Sequence, residues 1–210
     1  MARIDRRGSS APAGRGQSEY NGSRYHNDGR VLKMKRNIVR LGHPALRQQA
    51  EPVDPASLDA EEMQTLIGEL IETLESNSGS GLAATQVGAG HQILVLSTAE
   101  SGGGPSGSEL VVINPLLELE HADLVHDWEG CLSVPGLKGL VPRYPKVRLR
   151  GLNARGELLD LTLEGLQARR VQHAYDHLNG VVFLDRMRDL KSLAFSEEWG
   201  LYLADSSDAT

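Results

Sequence analysis

The chain has 210 residues, of which 40% are hydrophobic and 24% are charged, and its formal net charge is -6. These values fit one soluble globular domain with a sizeable core, and no apolar run approaches the roughly 20 residues of a membrane-spanning helix. The single cysteine, Cys131, excludes an intrachain disulfide. Because the sequence also shows no secretory signal, this cysteine usage favours a cytoplasmic location.

The N-terminal part differs in charge from the rest of the chain. Residues 1–36 carry nine basic and three acidic side chains, so the remaining residues are strongly acidic and argue against stable nucleic-acid binding. Residues 1–34 are rich in Gly, Ser and Arg, which predicts a disordered basic N-terminal extension. A contact of this extension with RNA or the ribosome is the less favoured alternative. We expect the folded domain over residues 35–205, with Met34 as an alternative start of the chain.

The first clear element is an amphipathic helix that begins near Pro55. Its apolar residues recur at the i, i+3, i+4 and i+7 spacing of a helix, with acidic residues near its start and on its outer face. A glycine-rich loop, residues 78–90, follows the helix. Residues 91–97 and 109–115 then predict two strands, which the Gly- and Ser-rich residues 101–108 join as a flexible hairpin tip.

Strands and one more helix are predicted in the second half. Residues 116–130 alternate in part and indicate a strand, and residues 145–153 and 156–165 predict a hairpin. Residues 165–180 have apolar side chains at helical spacing and end at Gly180, a residue typical of a helix C-terminus. No internal repeat or second core is present in the pattern. The sequence therefore predicts a single α+β domain with mostly antiparallel strands.

Three features of the sequence could carry chemistry. His173 and His177 stand four residues apart on the second predicted helix, so they either share a metal ion on one face or are surface histidines. Cys131 is either a ligand or a small buried residue. The segment from Gly79 to Gln86 either lets the backbone approach a ligand closely or forms a tight structural turn.

Taken together, these features resemble the three signature motifs of the peptide deformylases, in their order and separations. The three motifs are GSGLAATQ (79–86), EGCLS (129–133) and QHAYDHLNG (172–180). A further sequence, GHPALR (42–47), resembles the start of that family. The match runs from about residue 37 to residue 190. The resemblance implies a hydrolase that removes the formyl group from the N-terminal formylmethionine of nascent polypeptides at the ribosome, and we expect a monomer.

The resemblance also implies a metal centre. Cys131, His173 and His177 would hold one divalent ion, and the helix that carries the two histidines would lie at the centre of the strands. Three protein ligands leave a fourth position open for water, as in catalytic sites. The ion is expected to be Fe²⁺ in the cell, with Zn²⁺, Ni²⁺ or Co²⁺ as substitutes, although these donors alone do not select one metal.

Four residues are expected to contact the substrate by the same resemblance. The backbone N–H of Leu132 and the side-chain amide of Gln86 would donate hydrogen bonds to the formyl oxygen as negative charge develops on it. Gly79 and Gly81 would lie along the substrate, which would add as an extended strand.

One residue departs from the family's pattern. The third motif of the family reads His-Glu-x-x-His, whereas this chain has Ala174 in place of the glutamate. That glutamate takes a proton from the metal-bound water and passes it to the leaving amine, a role that contributes about 10²–10⁴-fold to the rate. The activity is therefore expected to be impaired or absent, whether the alanine is natural or engineered.

Two other functions remain as alternatives. The first is a metal-binding pseudoenzyme that binds formyl-Met or Met-starting peptides without turnover. The second is a zincin-type metalloprotease, which the missing glutamate and the cysteine ligand both weaken. Asp176 and Glu129 are expected to orient ligand histidines rather than replace the glutamate. Lys138 and Arg143 are expected at the solvated surface, and steering of a peptide carboxylate or an acidic substrate segment is the less favoured alternative.

Overall fold

Eight strands form two sheets in the part of the chain that the structure, a computed structural model, describes: residues 35–99, 109–120 and 123–204. They are β1 (Gly81–Ala83), β2 (Ile93–Ser97), β3 (Glu109–Leu119), β4 (Val125–Cys131), β5 (Val134–Arg143), β6 (Lys146–Leu152), β7 (Leu158–Glu164) and β8 (Ala194–Phe195). The first sheet has the order β1-β2-β3-β6-β7, and the second has the order β4-β5-β8. Every strand pair in both sheets is antiparallel, as expected.

Four α-helices accompany the sheets in these residues. They are α1 (Glu61–Ser76), α2 (Gly165–Leu178), α3 (Phe183–Arg186) and α4 (Ser196–Tyr202). The helix α2 contacts all five strands of the first sheet, which confirms the α+β arrangement of antiparallel strands around a central helix. No helix within the described ranges is long and apolar enough to cross a membrane.

Buried apolar side chains fix α1 and α2 in place. The first cluster joins Leu66, Leu70 and Leu74 of α1 to residues of β1, β2 and β3, and the second joins Val171 and Leu178 of α2 to the sheet. Each fully buried side chain of this size stabilises the fold by roughly 1.5–3 kcal/mol. The backbone of α2, which carries both histidines, is therefore held by packing along its length.

The first helix begins later than the sequence pattern predicts. Residues Pro55–Ser57 form a 3-10 turn, which Asp54 caps by accepting a hydrogen bond of 3.0 Å from the N–H of Ala56. Ala60 then has an extended backbone with a ψ of 137°, so the regular helix starts only at Glu61. The Asp54 cap and Pro55 stabilise a separate short turn, so the regular helix is interrupted there although the apolar spacing of the sequence continues across it.

The glycine-rich segment 78–90 is more ordered than the loop that its composition predicts. Gly81–Ala83 form β1, which pairs with β2, and Ala84–Val87 form a 3-10 turn. Gly88 ends this turn with a φ of 78°, in the left-handed region that glycine adopts without strain. The segment is more ordered than its composition predicts because β1 pairs with β2, a buried strand outside residues 78–90.

Both predicted hairpins have the expected strand pairing. The strands β2 and β3 pair directly, and the predicted tip, residues 101–108, lies outside the described residues. The strands β6 and β7 pair over their full length, and Asn153 closes their turn by accepting the N–H groups of Arg155 and Glu157 at 2.9 and 3.0 Å. The strand indicated over 116–130 is divided between the end of β3 and β4.

Candidate metal centre

Three side chains that could bind a metal ion converge between β4 and α2. Cys131 is the last residue of β4, and Leu132 and Ser133 form the tight turn that leads into β5. His173 and His177 lie one helical turn apart on α2. The Sγ of Cys131 is 3.2 Å from Nε2 of His177, and the candidate ligand atoms of the three residues all lie within 4.8 Å of one another.

Glu129 sets the orientation of His173. Its Oε2 lies 2.8 Å from Nδ1 of the histidine, and because a carboxylate only accepts, Nδ1 donates this hydrogen bond. The other ring nitrogen, Nε2, is thereby left to bind a metal ion, the usual arrangement for a ligand histidine. Phe183 stacks on the same imidazole, with ring centroids 6.3 Å apart.

The charges of this cluster favour a thiolate. Burial raises the pKa of the Cys131 thiol, but hydrogen bonds and charges from His173 and His177 lower it more, to about 5. Burial lowers the pKa of His173, while hydrogen bonds and charges from Cys131 and Glu129 raise it to about 10. The protonated imidazole neutralises the thiolate, and a divalent cation could take over that role and release the proton.

A buried network of charges surrounds Glu129. Arg143 donates to both of its oxygens at 2.9 and 3.0 Å, and Arg169 donates to Oε1 at 2.8 Å. Burial raises the pKa of Glu129, but hydrogen bonds from His173 and Arg143 hold it well below its usual range. Glu129 is therefore ionised at neutral pH, and its two oxygens are occupied by two arginines and one histidine.

The structure corrects two expectations about this network. Arg143 does not lie at the surface but is 4% exposed, because it bridges two buried carboxylates that need a cationic partner. Asp176 does not orient a ligand histidine directly. Its oxygens accept hydrogen bonds of 2.6 Å from Arg143 and from Arg186, so it reaches His173 only through Arg143 and Glu129.

Gln86 stands beside the candidate ligands in a fixed position. Its Oε1 accepts a hydrogen bond of 2.9 Å from the N–H of Ala83, and its Nε2 donates to Oγ of Ser133 at 3.1 Å. The same Nε2 lies 3.7 Å from Sγ of Cys131. With Leu132 next to Cys131 in the turn, the structure brings both expected oxyanion donors to the cluster.

The two glycines that were expected to contact substrate lie where the backbone passes close to other groups. A Cβ at Gly79 would lie 2.7 Å from Cδ1 of Leu74, and a Cβ at Gly81 would lie 3.1 Å from Cδ2 of Leu96. The same position at Gly81 is 3.7 Å from Cβ of Ala174, which is 1% exposed. A Cβ at either position would therefore require the neighbouring leucine side chain to move.

A cleft of about 750 Å³ opens beside this cluster, a size typical of sites for small ligands. Its wall contains most of the expected site residues, namely Gly79, Gly81, Gln86, Cys131, Leu132 and His173. His177 and Ala174 are not part of the wall. The expected substrate contacts and two of the three candidate ligands therefore share one accessible surface.

Arg169 and Ser133 belong to the site and were not predicted from the sequence. Besides Glu129, Arg169 donates to the carbonyl oxygens of Val125 at 2.7 Å and Val141 at 2.9 Å, which ties α2 to both β4 and β5. The sequence contains one signal that Arg169 belongs to the site: it precedes His173 by four residues and so lies on the same face of the helix.

Lys138 also differs from a simple solvated side chain. Its Nζ lies 3.4 Å from the centroid of the Trp199 ring, a cation–π contact that joins β5 to α4. No local pattern predicts this contact, since Lys138 and Trp199 are far apart in the chain.

The donor set fits one divalent ion. Ligand atoms in a tetrahedral site with ordinary metal–sulfur and metal–nitrogen bonds are roughly 3.3–3.8 Å apart, and the distance of 3.2 Å between Cys131 and His177 is close to this. Three ligands beside a cleft leave one position open, which is typical of a catalytic rather than a structural centre. Fold and cluster thus define an α+β protein with a candidate mononuclear metal centre.

Comparison with known proteins defines the family. The family model described as polypeptide deformylase matches residues 35–193. Peptide deformylase 1 of Nitrosomonas europaea is 36% identical over 167 residues, which cover 78% of this chain and 94% of the relative. Peptide deformylase 1 of Prochlorococcus marinus is 40% identical over 171 residues, which cover 78% and 86%. The chain belongs to the peptide deformylase family of hydrolases.

Solved structures agree with this assignment. A peptide deformylase from Legionella pneumophila is similar with a TM-score of 0.68 and 35% identity, covering 75% of this chain and 89% of that one. A class I type b peptide deformylase from Acinetobacter baumannii, crystallised with bound Met-Ala-Ser, has a TM-score of 0.68 and 28% identity. That comparison covers 74% of this chain and 100% of the Acinetobacter chain.

Proposed function

We propose that the chain is a metal-dependent peptide deformylase of low turnover, which removes the formyl group from the N-terminal formylmethionine of nascent polypeptides. The observation that carries the proposal is the convergence of Cys131, His173 and His177 beside a cleft that also contains Gln86. These three residues would hold one ion, Fe²⁺ in the cell, with Zn²⁺, Ni²⁺ or Co²⁺ as substitutes. The proposal includes a monomer that works in the cytoplasm on chains leaving the ribosome.

The chain's own donors would bind the formyl group. A divalent ion in this centre would polarise the formyl carbonyl and lower the pKa of a water molecule. The N–H of Leu132 and the amide of Gln86 would donate to the formyl oxygen and stabilise its developing negative charge. The contact of 3.7 Å between Nε2 of Gln86 and Sγ of Cys131 is the longer of the two that Nε2 makes, so the N–H group that points to the sulfur exchanges this weak acceptor for the formyl oxygen at little cost.

The peptide that follows the formyl group would lie in the cleft along Gly79 and Gly81. Both glycines are in its wall, and without side chains they let another backbone approach closely. The Acinetobacter relative with bound Met-Ala-Ser supports this proposal, because it shows that a deformylase of this fold accepts a short peptide that starts with methionine.

Proton transfer is the step that the chain supports least. Ala174 has no group that could carry a proton, and Glu129 already accepts hydrogen bonds from Arg143, Arg169 and His173. Without a positioned acid/base, proton movement is left to water, and the rate should be about 10²–10⁴-fold below that of a complete site.

The same observation favours one second candidate, a pseudoenzyme that keeps the centre and the cleft but only binds formyl-Met or Met-starting peptides. The candidate ligands and Gln86 are in place, and only the residue that moves the proton differs. The two candidates share their binding step and differ in whether any formate is released.

Formate release from formyl-Met-Ala-Ser by the metal-loaded full chain tests both. We expect slow release from the unchanged chain and an increase of at least about a hundredfold in Ala174→Glu. Peptide binding with no formate from the unchanged chain would favour the pseudoenzyme. If Ala174→Glu binds one ion and still releases no formate, the proposed activity is wrong.

A further inference from the structure

The wall of the cleft has the opposite charge to the protein as a whole. The chain carries a net charge of -6, yet the wall contains a single carboxylate, that of Glu129, and five basic side chains, which are Lys35, Arg36, Arg40, Arg169 and Arg170. A concave surface with one sign of charge concentrates ligands of the other sign.

Three of these cations have a bonded partner, and one of the three, Arg170, donates a hydrogen bond to the carbonyl oxygen of Ala99. Glu129 accepts from Arg169, and Nε of Arg36 lies 2.6 Å from Oε2 of Glu69. Lys35 and Arg40, by contrast, are exposed, and across the described ranges they form no ion pair within 4.0 Å. We call these two side chains the cationic rim.

Backbone hydrogen bonds hold the cationic rim beside the site. The N–H of Val39 donates to the carbonyl of Gln86 at 2.9 Å, and the N–H of Leu41 donates to the carbonyl of Ser133 at 2.8 Å. The residue on either side of Arg40 is thus fixed to a segment that carries site residues. The N–H of Arg36 donates to Oγ1 of Thr73 at 2.8 Å, so the segment is attached at both ends.

We propose that the cationic rim binds acidic side chains of the peptide downstream of its first residue, and so selects formylated peptides with Asp or Glu after the opening residues. This inference rests on the proposed function, because it requires the peptide to lie in the cleft. An extended chain advances about 3.3 Å per residue, so a few residues beyond the methionine suffice to run along a cleft of this volume.

Affinity for three peptides tests the proposal. The probes are formyl-Met-Ala-Asp-Asp, formyl-Met-Ala-Ser-Ser and formyl-Met-Ala-Lys-Lys, each with a C-terminal amide to remove the terminal charge. Binding to the full chain loaded with Ni²⁺ is measured by calorimetry. We expect the Asp peptide to bind about tenfold more tightly than the Ser peptide at low salt, since two exposed ion pairs contribute modestly. The preference should shrink at 0.5 M salt because of screening.

A double variant assigns the preference to the rim. In Lys35→Gln with Arg40→Gln, the Asp peptide should bind no better than about twofold more tightly than the Ser peptide, with the affinity for the Ser peptide unchanged. The matched control, Lys146→Gln with Arg155→Gln, removes the same charge from two residues that are not in the cleft wall. It should keep the tenfold preference.

The outcomes separate this inference from the function on which it rests. If all three peptides bind equally, or if the control variant loses the preference as much as the rim variant, the rim proposal is overturned while peptide binding stands. If no formylated peptide binds the metal-loaded chain, the proposed function fails and the rim proposal fails with it.

Discussion

The methyl side chain of Ala174 lies 3.7 Å from the position that a Cβ would take on Gly81, which lines the cleft. A longer side chain at residue 174 would therefore start next to the cleft wall. A carboxylate there could accept and return a proton, whereas the methyl group only fills space. Under the proposed function, Ala174 therefore affects only proton transfer and leaves the proposed metal and substrate donors in place.

The amide variant of this residue separates proton transfer from simple filling of space. We expect Ala174→Gln to release formate at about the rate of the unchanged chain, because an amide has nearly the size of the carboxylate but does not take up a proton. The comparison is kcat for the alanine, glutamine and glutamate forms, each loaded with the same metal. A gain in the glutamine form as large as in the glutamate form would contradict the assigned role.

Glu129 should control how tightly the centre binds its ion. In Glu129→Gln the side chain carries no charge, so it no longer neutralises Arg143 and accepts only a weaker hydrogen bond from His173. We therefore expect the metal affinity to fall by about 10–100-fold. Competition with a chelator of known affinity measures this. The control is Glu157→Gln, an exposed glutamate at the β6–β7 turn, and equal affinities in the two variants would refute the orienting role.

The candidate ligands could be predicted from the sequence, whereas their supports could not. The spacing of His173 and His177 alone left a surface pair as an alternative, and Cys131 alone left a small buried residue, so only the resemblance of the three motifs to one family predicted that these residues act together. Arg143 has no such signal, because its burial depends on two carboxylates that come from β4 and α2. A contact between distant segments is decided by the tertiary fold and leaves no local pattern.

The helix α2 positions both histidines, and its C-terminal end is fixed by a close contact. Gly180 follows the helix with a φ of 70°, and a Cβ there would lie 2.8 Å from the backbone of Arg47. That contact joins the end of α2 to the segment before α1. The position of His177, three residues earlier, therefore depends on this packing as well as on the helix itself.

A pair of glycine substitutions tests the contact. Gly88 has a similar φ of 78° but nothing within 4 Å of its Cβ position. We expect Gly88→Ala to destabilise by about 1–2 kcal/mol through backbone strain, and Gly180→Ala by about 1–3 kcal/mol more because the Arg47 backbone must also move. Urea unfolding of the two variants gives the comparison, and equal free energies of unfolding would show that the close contact has no effect.

Elements with a strong local pattern were predicted well. The amphipathic helix, the two hairpins and α2 follow from apolar periodicity and turn residues. The start of α1 and the ordering of segment 78–90 were missed, the first because Asp54 caps a separate turn, and the second because β1 is ordered by its partner β2. Local capping, and pairing with a strand outside the segment, both override what composition indicates.

At the scale of the whole molecule, we propose that residues 35–205 form the functional domain and that residues 1–34, which lie outside the described residues, are not needed for it. A chain that starts at Met34 should then keep the metal stoichiometry and the urea midpoint of the full chain. A large loss of stability on truncation would contradict the proposed boundary.

We propose that one thiolate and two imidazoles bind a single divalent ion, and cobalt substitution measures this most directly. The full chain dialysed against Co²⁺ should retain one ion per chain and show a thiolate-to-cobalt charge-transfer band, because Cys131 is the only cysteine. Cys131→Ser and His173→Ala should each bind Co²⁺ far more weakly. Retention of no ion by the full chain, or of a tightly bound ion without that band, would contradict the account.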